Sequence, residues 1–423
     1  MKTFHCQYCG HPLFFENTRC LQCESDLGFL PDRLNLAAIE EVARGDASLW
    51  RPRARGRKAA GAHYRHCQNH DTASLCNFMV PEHDPNPLCA SCRLTRVLPD
   101  LSRPENPGRW YRLEAAKRRL FYSLGRLGLL DTAPANGAAD GPIFEFLADM
   151  PGQPVMTGHA DGLITINVTE ADDAERVKRR VEMHEPYRTL LGHFRHESGH
   201  YYWDRLIDQG GRTEAFREMF GDERLDYQQA LQDHYARGGT LPDWQEHFVS
   251  QYATAHPWED WAETWAHYLH MVDLLETAAS YNTRLALPGH EQEVEEVVNP
   301  LETGSPDFDA LVEQWVPVTL LVNSLNRSLG QEDAYPFALS AAALEKLRFV
   351  HDVICAARSQ SGARSPEATQ EASPHPQAGQ DEQGTQHPQR EERGQPADTG
   401  LIARQQEQGA AAAALCHGRG TFA

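Results

Sequence analysis

His196-Glu197-Ser198-Gly199-His200 sets two imidazoles four residues apart, with a carboxylate beside the first. On a helix that spacing puts both rings on one face about a turn apart, where both can reach a single Zn²⁺. Glu197 then stands where it can take a proton from a water activated by the metal, the H-E-x-x-H arrangement of metal-assisted peptide hydrolysis. That chemistry uses three protein ligands and one open position, so a third ligand has to come from elsewhere in the chain. The richest source is the run HPWEDWAETWAHY at 256–268, where Pro257 can open a helix and Glu259 and Glu263 fall one turn apart on one side. Asp260, His267, Glu218, Asp222 and Glu223 are the other candidates. Trp258, Trp261, Trp265 and Tyr268 crowd the same run, which implies a buried helix rather than a solvated acidic face.

The elements that must hold these groups are legible around them. Pro186 suits a first helical turn, and Leu190, Leu191, Phe194, Tyr201, Trp203, Leu206 and Ile207 recur with helical spacing up to a stop at Gly210 and Gly211. Upstream, residues 162–168 (GLITINV) predict a strand, and 169–172 (TEAD) offers a cap and early acids for a helix through Met183. Residues 141–147 predict another strand, and 94–128 a basic helical segment. The helix of Glu259 should continue to Ala279, with further amphipathic helices at 307–328 and 338–357.

Eight of the ten cysteines lie in the first 92 residues, with only Cys355 and Cys416 beyond. Cys6-x2-Cys9 and Cys20-x2-Cys23 form two knuckles with the spacing of a zinc ribbon, and Gly10 suits the tight turn after the first. Glu24 takes the equivalent place in the second. Cys67, Cys76, Cys89 and Cys92 supply a second set of four thiolates, with His63, His66, His70 and His83 as substitutes for one of them. Both sites would be closed, serving stability or recognition rather than chemistry. Nothing in Met1-Lys2-Thr3-Phe4-His5 has the form of a secretion signal, so a cytoplasmic, reducing setting is expected, in which thiols bind metal.

The stretches HFRHESGHYYW at 193–203, FGDER at 220–224, HPWEDWAETWAHY at 256–268, NRS at 326–328 and YPF at 335–337, together with the two cysteine sets, resemble the bacterial zinc-binding metallopeptidases that carry an N-terminal zinc-ribbon domain. The likeness spans roughly residues 1–355. It implies a peptidase with one catalytic and two structural zincs, and gives no substrate. Glu259 and Glu263 also resemble the pair found in the thermolysin-like zincins (gluzincins). That likeness implies Glu259 as third ligand and Glu263 as the acid orienting a zinc histidine, with Glu263 the alternative ligand. A strand edge beside the zinc helix, as in zincins, would pair with an extended substrate. Tyr252, Tyr268 and His267 are candidates for stabilising the oxyanion. Asn326, Arg327 and Tyr335 fall in the family stretches, and capping and loop packing account for them as readily as substrate binding.

The expected architecture is therefore α+β: a ribbon region at 1–93 with two Cys₄ sites, a mostly helical zincin-like domain with a small sheet at 94–357, and a disordered polar tail at 358–423. The net charge of −20 is unevenly spread: residues 1–130 hold 19 Lys+Arg against 13 Asp+Glu (+6), and the remainder 21 against 47 (−26). Arg51, Arg53, Arg55, Arg57 and Lys58 make a basic run between the cysteine sets, expected as a linker or surface loop. No basic platform interleaved with aromatics accompanies it, and the acidic remainder repels phosphate, which argues against nucleic acid as partner. The expected partner is a peptide or protein substrate, with the ribbon region free to engage a further protein. No apolar run approaches the roughly 20 residues that span a bilayer. The rival reading is a non-catalytic zinc protein whose ribbons bind protein or nucleic acid, with H-E-x-x-H as a structural site. An intact Glu197 argues against it, because a structural site needs no adjacent base.

Overall fold

The computed structural model describes residues 1–44, 47–53, 61–73, 75–132, 141–150, 152–182, 189–238, 241–286, 294–302 and 307–362. Met1–Pro366 forms one compact unit, and the second unit, Glu367–Ala423, lies outside the described residues. The fold is α+β, with the cysteine sets in an N-terminal sheet-rich region and a helical remainder.

The N-terminal region opens with a small hairpin, β1 (Phe4–His5) and β2 (Pro12–Leu13), from which the first knuckle projects. A five-stranded antiparallel sheet follows in sequential order: β3 (Asp26–Leu30), β4 (Asn35–Arg44), β5 (Ala47–Pro52), β6 (Tyr64–His66) and, after the short helix α1 (Gln68–Ala73), β7 (Met79–Pro81). Sequence reading did not foresee this sheet. The basic run expected as a linker or surface loop begins inside β5, and its residues 54–58 lie outside the described residues.

β8 (Thr95–Val97) leads into the long helix α2 (Asn106–Arg126). β9 (Ile143–Leu147), β10 (Gly158–Ala160) and β11 (Leu163–Asn167) join β8 in a four-stranded sheet ordered β10-β11-β9-β8, with β10 at one edge and antiparallel to β11. Asp172 caps α3 (Asp173–Glu182), accepting the Ala174 N–H at 3.0 Å. Thr189 caps α4 (Leu190–Trp203), which continues as one π-helical turn through Asp208. Pro186 and Met183, both placed in helices by sequence, lie outside the described residues. The sheet lies over α4, with Phe144 and Phe146 at 5.4 and 6.2 Å from the Phe194 ring.

Next come α5 (Thr213–Phe220), α6 (Tyr227–Ala236) and α7 (Pro257–Ser280). A short ribbon of β12 (Arg284–Leu285) and β13 (Glu295–Glu296) precedes α8 (Phe308–Ser328) and α9 (Ala341–Gly362). The last helix runs past residue 357, where sequence composition suggested the ordered part ends; the rest of the expected tail is outside the described residues. No helix among the described residues is long and apolar enough to cross a membrane.

Candidate active site

The site is built where α4 crosses α7. Gly199 makes the approach possible, because a Cβ there would stand 2.9 Å from the Ala262 backbone and 3.2 Å from the Trp265 ring. The seam is buried and pinned by indole donors. Trp261 Nε1 donates to the Gly199 carbonyl at 2.8 Å and Trp265 Nε1 to Ser198 Oγ at 3.1 Å. Pro257 opens α7 and His256 caps it, accepting the Trp258 N–H at 3.1 Å.

Glu259 thereby meets both histidines. Its carboxylate lies 3.0 Å from His196 Nε2 and 3.5 Å from His200 Nε2. Ligand atoms of His196, His200 and Glu259 all fall within 4.8 Å of one another, as one metal ion requires. Glu263, a turn further on, faces the back of the same ring: its Oε1 is 2.6 Å from His196 Nδ1, while its Oε2 accepts from Ser250 Oγ at 2.6 Å. The two ring nitrogens of His196 thus look at two different glutamates. Burial opposes the protonated imidazole, yet the two carboxylates hold the His196 pKa well above its usual value. Both carboxyls are held low in return, Glu259 furthest, by the histidines they face and against the effect of burial.

Glu197 is buried, and burial pushes its carboxyl up. Its Oε2 and the Nδ1 of His200 are buried without a hydrogen-bond partner. Two nitrogens and a carboxylate oxygen converging beside a carboxylate with an unspent acceptor is the donor set that suits zinc with a neighbouring base.

Tyr227, which sequence did not single out, joins this group together with the oxyanion candidate Tyr252. Tyr227, at the start of α6, donates to Glu259 Oε1 at 2.6 Å, and Tyr252 lies beside it with its ring 5.9 Å from that of His196. Burial and the nearby Glu259 raise both phenols. His159 of β10 lies with its ring 6.4 Å from His200 and its Nε2 taken by the Gly162 N–H, so this strand, at the sheet edge among the described residues, borders the site. Asp226 caps α6 by accepting the Gln229 N–H.

The remaining candidates are engaged elsewhere. Asp260 pairs with Lys346 of α9 at 2.5 Å, His267 Nδ1 with the Tyr335 hydroxyl at 2.5 Å, and Tyr268 with His351 at 2.9 Å. Glu223 pairs with Arg217 and Asp222 with Arg224, and Glu218 joins none of the ligating groups found among the described residues. Arg327 forks onto Asp333, Asn326 donates to the Glu332 carbonyl, and Tyr335 exchanges bonds with Asn323, so these stretches shape the loop after α8.

Both cysteine sets close into metal-sized groups. In the first, Cys6 to Cys23 and Cys9 to Cys20 are 3.7 and 3.6 Å between sulfurs; in the second, Cys76 lies 3.7 and 3.6 Å from Cys89 and Cys92. A sulfur tetrahedron about 2.3 Å from a central zinc has edges of about 3.8 Å, so the groups fit that ion. Gly10 at φ +83° and Glu24 at φ +56° turn the two knuckles alike, so Glu24 takes a left-handed conformation that glycine would adopt freely. His63 lies 3.4 Å from Glu82, and His66 stacks on His70; neither set needs a histidine.

Residues 106–353 match the family described as "Putative zinc-binding metallo-peptidase", and residues 3–103 match a zinc-ribbon domain. The chain belongs to this metallopeptidase family. Among its relatives are the uncharacterized proteins Rv2568c of Mycobacterium tuberculosis and Mb2598c of Mycobacterium bovis, each 42% identical over 359 residues, covering 84% of this chain and 95% of theirs. No solved structure matches. The metallopeptidase match begins at the first residue of α2 and takes in every residue of the His196, His200 and Glu259 group, while the zinc-ribbon match takes in both cysteine sets.

Proposed function

We propose that the protein is a zinc-dependent peptidase that hydrolyses peptide bonds at the crossing of α4 and α7. The observation that carries this is the convergence of His196 Nε2, His200 Nε2 and the Glu259 carboxylate within 4.8 Å of one another, with Glu197 beside them. His196, His200 and Glu259 would hold the metal, which when bound lowers the pKa of water toward neutrality and polarises a carbonyl. Glu263 keeps the His196 ring in place through Nδ1. Glu197, buried and with an unspent oxygen, takes the proton of the attacking water and returns it to the leaving amine. Tyr227 and Tyr252 bring two hydroxyl donors to the Glu259 side of the site, where a developing oxyanion needs them. Tyr268 and His267, bonded to α9 and the loop after α8, are poorly placed for that role. An extended segment of a peptide or protein pairs with β10 at the sheet edge, whose His159 borders the site. Two further zincs sit in the Cys₄ groups and serve the fold, in a compartment reducing enough to keep their thiols free.

Elemental analysis tests this directly. Wild type should carry about three zincs per chain, falling by about one in His196→Ala/His200→Ala and in Glu259→Ala. Glu197→Gln should keep its zinc and lose cleavage of a peptide library by roughly 10²–10⁴-fold. Two zincs in wild type, both retained by the histidine variant, would leave a zinc-ribbon binding protein without a catalytic metal.

A further inference from the structure

One lysine of α9 is carried into the helical core beside the site. Lys346 is 7% exposed, with its stem over two rings, so that Nζ stands 4.2 Å from the Phe248 centroid and 5.6 Å from that of Phe220. Its ammonium has two partners. It donates to Asp260 Oδ2 at 2.5 Å and to the His247 carbonyl at 2.9 Å. Asp260 follows Glu259 directly on α7, whereas His247 belongs to the loop between α6 and α7. A buried ion pair is by itself a poor source of stability, because desolvating two charges consumes most of their attraction. The bond to His247 differs in kind, since it ties the backbone of a loop to a helix.

That loop enters the site within a few residues. Ser250 is 6% exposed; its Oγ accepts the Ala253 N–H at 3.2 Å and donates to Glu263 Oε2 at 2.6 Å. Glu263 in turn places Oε1 2.6 Å from His196 Nδ1. Tyr252, two residues on, has its ring 5.9 Å from the same imidazole. α9 supports the loop a second time: Ala343, three residues before Lys346, packs in a buried cluster with Val249 and Ala253. A carboxylate that orients a ligating imidazole has to be held itself, or the ring turns with it. Here the holding contacts run from Lys346 through His247, Ser250 and Glu263 to His196.

We propose that Lys346 is a positioning residue of the catalytic metal site: by holding the His247 carbonyl it sets the loop at 247–252, and through Ser250 and Glu263 the ring of His196. Asp260 supplies the counter-charge that lets the ammonium be buried there. The proposal rests on reading His196 as a metal ligand.

The test compares zinc affinity at this site, by chelator competition on the full-length protein, with the melting temperature. Asp260→Asn weakens the ion pair but leaves Lys346 on His247, so melting should fall while zinc affinity stays within about twofold of wild type. Lys346→Met/Asp260→Leu removes both charges together and should recover the melting temperature. The His247 carbonyl still loses its donor, so zinc affinity should drop about tenfold. Ser250→Ala should show the same loss, and adding it to the paired variant should cost no further affinity, because both act through one contact. Metal affinity that follows melting, lost in Asp260→Asn and recovered in the paired variant, would reduce Lys346 to a structural ion pair and overturn the proposal. Full additivity with Ser250→Ala would overturn it equally. Should the leucine not be tolerated, Lys346→Met/Asp260→Asn takes its place with the same two readings, and its failure to fold would mark Lys346 as a folding residue and overturn the proposal. Zinc content in His196→Ala/His200→Ala equal to wild type would instead remove the catalytic-metal reading itself, whatever the lysine variants show.

Discussion

Glu259 and Glu263 are the same residue type one turn apart, and the difference between them lies in which nitrogen of His196 each one faces. Glu259 looks at Nε2, the nitrogen that converges with His200; Glu263 looks at Nδ1 and is tied down by Ser250. Glu263→Gln keeps an acceptor for Nδ1 but removes the charge that makes the imidazole a better ligand. Zinc affinity at this site should therefore fall by about 10–100-fold in a chelator competition, with both cysteine sites unaffected. An affinity equal to wild type would mean that Glu263 is a bystander. Tyr227→Phe separates another pair of roles. As an oxyanion donor its hydroxyl acts only in the transition state, so kcat should drop by roughly 10²-fold with KM and zinc content unchanged. If zinc affinity falls instead, the phenol is there to orient Glu259. At this scale the sequence was readable wherever spacing is local. His196, Glu197 and His200 are set by one helix, and Glu259 with Glu263 by another. Tyr227 and Ser250 reach the site across loops, and no local pattern encodes that.

The crossing of α4 and α7 depends on a side chain that is missing. Gly199 occupies the third position between His196 and His200, and any Cβ would drive into the Ala262 backbone, which cannot swing aside as a flexible side chain would. Gly199→Ala should thus be worse than its small size suggests, although alanine is the better helix former. Overpacking of this kind costs about 1–3 kcal/mol, and here it also pushes Glu259 away from the histidines. The expected result is a lower melting temperature together with a zinc deficit at this site; a zinc-replete variant with unchanged melting would show that the helices can separate freely. Helices such as α4 and α7 announced themselves through apolar residues recurring at helical spacing. The five-stranded sheet did not, for a physical reason. Leu36, Ala37, Ala38 and Ile39 of β4 are all buried, with Leu36 and Ala38 in the main core and Ala37 and Ile39 in a second cluster with Leu30, Tyr64 and Met79. A strand covered on both faces shows no alternation, so its pattern is silent.

At the scale of the whole molecule, cysteine placement divides the chain near residue 93, and the two family matches meet between residues 103 and 106. The side chains do not divide there. One apolar core runs from Phe4, Phe15, Phe29 and Phe78 through Phe121 and Tyr122 to Trp261 and Trp265. Polar groups cross the same boundary, with Arg119 on Glu16 at 2.6 Å and Thr95 on Glu114 at 2.8 Å. Removing residues 1–93 would uncover Phe121 and Tyr122, which pack on Phe78 and on Phe4, Phe15 and Phe29. Each large side chain returned to water forfeits roughly 1.5–3 kcal/mol, against a total stability of about 5–15 kcal/mol for a typical domain. A chain of residues 94–423 should consequently fail to reach a native state, retaining helical far-ultraviolet dichroism but losing its near-ultraviolet signal and binding a hydrophobic dye. The full chain should melt in a single calorimetric transition whose enthalpy equals its van't Hoff value. Two resolved transitions, or a truncated chain that melts cooperatively near the wild-type temperature, would show that the peptidase portion stands without the ribbon. The single transition expected here instead makes the two cysteine-bound metals part of what keeps His196, His200 and Glu259 in register, although neither metal lies at the site itself.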